Sequence, residues 1–331
     1  MVSEEYKACE MTMGGSAEVL IQYYAAILLT SVLIDLVFGE PKGILMNIHP
    51  VILCGRISYK LFRPYGRFYG IFLWFISVIP IMIAFYLIPR LLIMVNTIIG
   101  IVIYAYFLKL TFSIKLMRNY AREILRKVEL GNLNDARALT QEIVRRNVWE
   151  LDYQHLVSAV IESLAESFVD GFLSPLFYFA LFGLPGALLQ RLSNTMDSMV
   201  GYKGWPYERV GWFSAKMDTI VNYVPARLSS VIIMTASAII GLDWKDSMKT
   251  AILEHNRVRS TNSGWPMASF AGALNIILEK VGVYRVNNNA QSPSATSLWL
   301  AIKLFDASII ISLAIILITL TIRVLLVSLF I

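Results

Sequence analysis

Four stretches of the chain are long, apolar and almost uncharged: Val19 to Phe38, Phe68 to Ile88, Leu91 to Leu108 and Ala307 to Ile331. Only Asp35 and Arg323 interrupt them. A helix crosses the hydrocarbon core of a bilayer with about 20 apolar residues (range 17–25), so each stretch is predicted to span. Hydrophobic residues make up 57% of the 331 and charged residues only 16%, against roughly 25% charged in soluble domains. That balance excludes both a soluble globule and a disordered chain. The leader before Val19 carries Glu4, Glu5, Glu10 and Glu18 against Lys7, the wrong charge for a signal peptide, so the first stretch is expected to be a retained span. Cys9 and Cys54 are the only cysteines, too few for a disulfide framework or a thiolate metal site.

Two further apolar stretches are interrupted or short. Phe172 to Leu189 is broken by Pro175 and by Gly183-Leu184-Pro185-Gly186, and Leu228 to Leu242 has 15 residues. Both are expected to be re-entrant or half-buried in protein. Lys and Arg set the orientation, because basic loops stay cytoplasmic. Residues 39–67 hold five of them and residues 109–167 hold nine. The fold expected is therefore an all-α polytopic integral membrane protein. It has about four full spans, two broken elements and a cytoplasmic helical hairpin over 113–168, with six spans as the alternative. The divisions are 1–112 (leader and three spans), 113–168 (hairpin), 169–306 (the region rich in polar motifs) and 307–331 (last span). In the hairpin Gly131 stops the first helix, and Asn134 or Asp135 is positioned to cap the second. No strand alternation of useful length is evident.

Glu162, Glu166 and Asp170 stand at i, i+4 and i+8. On an α-helix they form one stripe of carboxylates. A solvated acidic face is one reading. The other is functional: the stripe runs into an apolar segment, where carboxylates are costly unless used or paired, and hard oxygen donors suit Mg²⁺ held with phosphate. Asn194-Thr-Met-Asp197 leads to Gly201-Tyr202-Lys203-Gly204, in which a lysine between glycines can approach a phosphate. Asp218 and Asn222 share a helix face ahead of Pro225 and Arg227, and Asn262-Ser263-Gly264-Trp265-Pro266 follows. Asp35 to Pro41 leads to His49-Pro50-Val51, where a lone histidine is more often structural than a ligand. Standard nucleotide, metalloprotease and hydrolase motifs are absent from the sequence. Basic residues are interleaved with apolar ones rather than clustered, so no nucleic-acid partner is expected.

These five motifs, in this order from Asp35 to Tyr284, resemble the cobinamide-phosphate synthase family of cobalamin biosynthesis (CobD/CbiB). Three positions depart from the family pattern: Ser167, Asn147 and Thr219 stand where it has Asn, Asp and a second Asp. The resemblance implies an ATP-dependent amide ligase in the cell membrane, with its site facing the cytoplasm. It would join adenosylcobyric acid to aminopropanol or its O-phosphate, giving adenosylcobinamide (phosphate), through an acyl phosphate. It further implies Mg²⁺ at Glu162, Glu166 and Asp170, and catalysis by Asp197, Asp218 and Glu166. Asn194, Lys203, Asn222, Arg227, Asn262 and His49 would hold substrate. Trp205, Trp212 and Trp265 would line a corrinoid cleft. Other membrane-bound enzymes of cobalamin assembly would be partners. A transporter is the rival reading, since broken apolar segments flanked by ionisable residues form transporter sites. A non-catalytic corrinoid scaffold is a third.

Overall fold

The computed structural model describes residues 17–329, so the acidic leader and Cys9 lie outside the described residues. Helices dominate, and their contacts divide the chain into two compact units. The first gathers 17–113, 174–221 and 314–329, and the second gathers 114–173 and 222–313.

Among the described residues three helices are long and apolar enough to cross a membrane: Ala17–Phe38, Arg67–Val95 and Ala295–Leu329. The second corrects the expected spacing. Residues 68–88 do not end at Pro89. The helix runs through Pro80 and Pro89 for 29 residues to Val95. The stretch from 91 to 108 is therefore divided rather than forming a span of its own. Asn96 leaves the helix with an extended backbone, and its side chain accepts from the Ile99 N–H to cap Thr97–Lys109. At 1.5 Å per residue those 13 residues cover about 20 Å, short of the ~30 Å core. The last helix, 35 residues long, begins well before Ala307. The broken segment 172–189 is resolved as Ser174–Phe182 and Leu184–Val200, split at Gly183 with φ 69°.

Within the first unit Ala17–Phe38 packs on Thr97–Lys109, which packs in turn on Arg67–Val95. Lys109 at the end of that arrangement is fully buried. Its Nζ lies 2.9 Å from Glu40 and 3.4 Å from Asp35. Burial alone would raise the Glu40 pKa, but the hydrogen bond from His49 and the Lys109 charge bring it down to about 2. His49 also caps Pro50–Leu61, accepting from the Val51 N–H at 3.2 Å. In the last helix Arg323 turns inward, with its guanidinium 4.3 Å from the Tyr24 ring centre and Nη1 donating to the Phe179 carbonyl at 3.3 Å.

Gly70 sits where Arg67–Val95 meets Tyr207–Val210, and a Cβ there would lie 2.0 Å from the Val210 carbonyl oxygen. Backbone cannot yield as a side chain can, so Gly70→Ala should cost about 1–3 kcal/mol. Gly55→Ala, whose Cβ would meet only the Met199 side chain at 3.7 Å, should be neutral or better. Thermal melting in detergent compares the two. Equal melting would disprove the close packing at Gly70.

In the second unit Lys115–Glu129 and Leu133–Ile143 pack together across a turn at Gly131, φ 73°. The cap of the second helix is Asn132, not Asn134 or Asp135. Its side chain accepts from the Asp135 N–H, because the chain reverses one residue after Gly131. A small antiparallel hairpin, Leu278–Lys280 with Tyr284–Val286, departs from the all-α expectation. Three residues per strand leave too little alternation to read in a sequence, but the Gly282 turn at φ 71° closes the hairpin.

Candidate functional site

The acidic stripe lies on Tyr153–Phe168, capped by Asp152 accepting from the His155 N–H. The first two acids obey α-helical spacing. The third, Asp170, stands on a π-turn, Val169–Leu173, that follows the helix directly. Single π-turns inside helices are frequent at functional sites.

Glu162 is buried and fully engaged. Its Oε1 accepts from Ser158 at 2.7 Å, and its Oε2 accepts from Arg146 at 3.1 Å and Tyr284 at 2.8 Å. The Glu279 N–H donates to Ser158 at 2.9 Å, so the hairpin is pinned to the helix at two points. Glu162 is thus a structural pivot. Burial raises its pKa, with Arg146 and the two hydroxyls opposing. The same burial, together with the charge of Glu162, pushes the Tyr284 phenol up.

Glu166, one turn on, behaves differently. Its side chain keeps solvent-exposed surface, and among the described residues no cation lies within ion-pair distance of it. Loss of hydration to the surrounding protein nevertheless raises its pKa, and Glu162 raises it further, against a hydrogen bond from Ser263 and the charges of Lys280 and Arg146. An exposed carboxylate whose pKa is raised in this way is a candidate functional group.

Ser263 ties Glu166 to the next motif. Adjacent Asn262 is buried and accepts from Arg227 Nη1 at 3.0 Å. Arg227 lies 3.4 Å over the Tyr223 ring and 5.3 Å from that of Trp265. Trp265 stacks on His255 at 3.9 Å. Nη1 also donates to the Tyr223 carbonyl at 2.8 Å, which leaves Nε and most of Nη2 for a ligand. The second unit therefore brings together Glu162, Glu166, Arg227 and Asn262 of the expected residues. It adds Arg146, Ser158, Ser263, Lys280 and Tyr284. Asn222 is buried at the start of Tyr223–Ile239.

The first unit holds other polar residues of the expected set. Asn194 Nδ2 donates to Asp218 Oδ1 at 3.0 Å. The Asp197 carboxylate rests on Gly201, so close that a Cβ there would lie 1.9 Å from Oδ1. Lys203 is exposed beside Gly204, φ 93°. Trp205 is 90% exposed, and Trp212 lies under Arg67 at 5.1 Å. Among the described residues no group of three or more His, Cys, Asp or Glu gathers around a metal-sized space.

Comparison with known proteins agrees along nearly the whole chain. The sequence model of the family described as CobD/Cbib protein matches residues 28–326. A probable cobalamin biosynthesis protein CobD from Thermoplasma acidophilum is 36% identical over 292 residues, covering 86% of this chain and 93% of the relative. The protein of that name from Thermoplasma volcanium is 38% identical, covering 84% and 91%. The cobalamin biosynthesis protein CobD of Dehalococcoides mccartyi is 36% identical, covering 80% and 86%. No solved structure matches. From the ordered motifs, the helical architecture and these relatives, the chain belongs to the CobD/CbiB family of cobalamin biosynthesis.

Proposed function

We propose that the protein is an ATP-dependent amide ligase of the cell membrane that joins the propionate carboxylate of adenosylcobyric acid to aminopropanol or its O-phosphate. The observation that carries this reading is Glu166, an exposed carboxylate with no ion pair among the described residues, beside Ser263, Lys280 and the Asn262–Arg227 pair. Amide formation needs an activated acyl group. The corrinoid carboxylate oxygen attacks the γ-phosphorus of ATP and ADP leaves. The amine nitrogen then attacks the acyl carbon, phosphate leaves, and the nitrogen gives up its proton to a base.

The donor set suits magnesium carried in with ATP rather than a resident metal. Such an ion takes one or two carboxylates and fills its shell with phosphate oxygens and water. Glu166 is available for this, whereas the oxygens of Glu162 are committed to Arg146, Ser158 and Tyr284. When bound, the ion neutralises charge on the transferring phosphoryl group. Arg227, held flat by Tyr223 and Asn262, presents its remaining N–H groups to phosphate oxygens, and Lys280 adds positive charge. Lys203 is assigned to the phosphate of the amine substrate. Asp218, oriented by Asn194, is assigned as the base, with Asp197 as the alternative. The basic segments 39–67 and 109–167 support a site facing the cytoplasm.

Purified protein in detergent, given ATP, Mg²⁺, adenosylcobyric acid and aminopropanol phosphate, should form the amide with one ADP per product. Neither amide nor substrate-dependent ADP would overturn the ligase reading. Asp218→Asn should lower kcat by about 100-fold or more. Unchanged turnover would transfer the base to Asp197.

A further inference from the structure

In the first unit a cavity of about 420 Å³ opens between the end of Pro50–Leu61 and the end of Leu184–Val200. Lys60 and Arg63 line it, together with Tyr59, Phe62, Met199 and Tyr207, and its wall contains no acid. Arg63 spends Nη1 on the Phe62 and Lys60 carbonyls that end the helix, which leaves Nε and Nη2. Lys60 has no carboxylate within ion-pair distance among the described residues. The cavity is thus lined by two cations and by aromatic rings. Phe62 and Tyr207 rings lie 4.9 Å apart, and Tyr202 packs on Tyr207 at 5.5 Å.

Its place in the chain indicates what fills it. The lining residues 58–63 immediately precede Arg67–Val95, one of the helices long and apolar enough to cross a membrane. Where that helix starts, Tyr65 is 74% exposed and Phe68 91% exposed. Tyr69 packs between Tyr65 and Phe72, and its hydroxyl donates to the Leu61 carbonyl. Exposed aromatic rings crowded at one end of an apolar helix are the belt that settles at headgroup depth. Lys and Arg beside such a belt recognise anionic headgroups.

We propose that this cavity binds the phosphate of an anionic membrane phospholipid. Arg63 offers a fork and Lys60 a point charge to the phosphodiester oxygens, while Tyr59, Phe62 and Met199 meet the glycerol and upper acyl carbons. A soluble phosphate ester would gain from the two cations but not from the surrounding aromatic belt. The function of the site would be to fix the depth and tilt of this end of the protein in the bilayer. It is independent of the ligase reading.

The test is native mass spectrometry of the purified protein in detergent, titrated with short-chain phosphatidylglycerol or phosphatidylcholine. Phosphatidylglycerol should bind as a single retained lipid, and phosphatidylcholine should not. Each basic residue near an anionic lipid contributes about five-fold in affinity. Lys60→Gln should therefore weaken binding about five-fold, and Lys60→Gln with Arg63→Gln about twenty-five-fold. Lys249→Gln, at an exposed lysine of the other unit, should change nothing. If the double variant does not fold, Lys60→Gln alone decides. Equal retention of the two lipids, or wild-type affinity in Lys60→Gln, would overturn the proposal. Displacement of the lipid by millimolar inorganic phosphate or ATP would also overturn it and assign the cavity to a soluble phosphate ester.

Discussion

A Lys109→Met protein should lose about 3–5 kcal/mol of stability, the amount typical of breaking a buried charge pair on one side. Lys109 is 1% exposed at its side chain, and its two carboxylate partners come from elsewhere in the first unit: Asp35 on Ala17–Phe38 and Glu40 just beyond it. Without the ammonium, two carboxylates remain facing each other with little water. Methionine fills nearly the same volume, so the loss reports charge rather than a cavity. Restoring neutrality with Asp35→Asn and Glu40→Gln in the same chain should recover most of it. Chemical or thermal melting in detergent measures both. Wild-type melting of the single variant would show that the cluster does not hold these helices together. The cluster also sets an acid limit. Glu40 has a folded-state pKa near 2, below its unfolded value. Its contribution is therefore complete above the ordinary carboxylate pKa of about 4.3 and is lost as pH falls from there towards 2.

Glu166→Gln should abolish most of the ligase activity, lowering kcat/KM by about 100- to 1000-fold. The same change should leave the protein as stable or more so. The sign follows from the raised pKa: a carboxylate whose folded pKa exceeds its unfolded value favours the fold at low pH and opposes it as pH rises through the folded value. At neutral pH the glutamate is therefore held at a cost that glutamine avoids. In the wild type, activity should rise with pH along an acid limb lying above the ordinary carboxylate range. A limb at the ordinary value, or a Glu166→Gln protein that melts earlier, would contradict this account. Glu162→Gln makes the opposite control. It weakens the bonds to Arg146, Ser158 and Tyr284, so stability should fall along with activity.

The membrane character was legible because apolar length is additive along a sequence and needs no knowledge of packing. The pairing of Glu162 with Glu166 was legible for a similar reason, since i, i+4 spacing carries geometry by itself. The π-turn that carries Asp170 was not, because no single residue type announces it. The stretch 91–108 misled because hydropathy weighs Asn96 lightly, whereas its side chain stops one helix and starts the next. The contacts of Arg146, Lys280 and Tyr284 stayed hidden because they reach Glu162 and Glu166 through tertiary structure, from a loop and a hairpin more than one hundred residues apart in sequence. The one available signal was Val-Gly-Val-Tyr-Arg-Val over 281–286, where a glycine sits between β-formers.

The inward turn of Arg323 bears on which membranes can accommodate this protein. Between Asp306 and Arg323 the last helix has 16 uncharged residues, about 24 Å of rise and less than an average hydrocarbon thickness. Counted as a lipid-facing charge, Arg323 would force the bilayer to thin around it. Its guanidinium instead lies on Tyr24 and bonds the Phe179 carbonyl, so the lipid-facing side runs uncharged to Leu329. That is 23 residues and about 35 Å, enough to match a full-thickness bilayer with modest tilt. A single internal contact thus converts a helix mismatched to ordinary membranes into one that fits them.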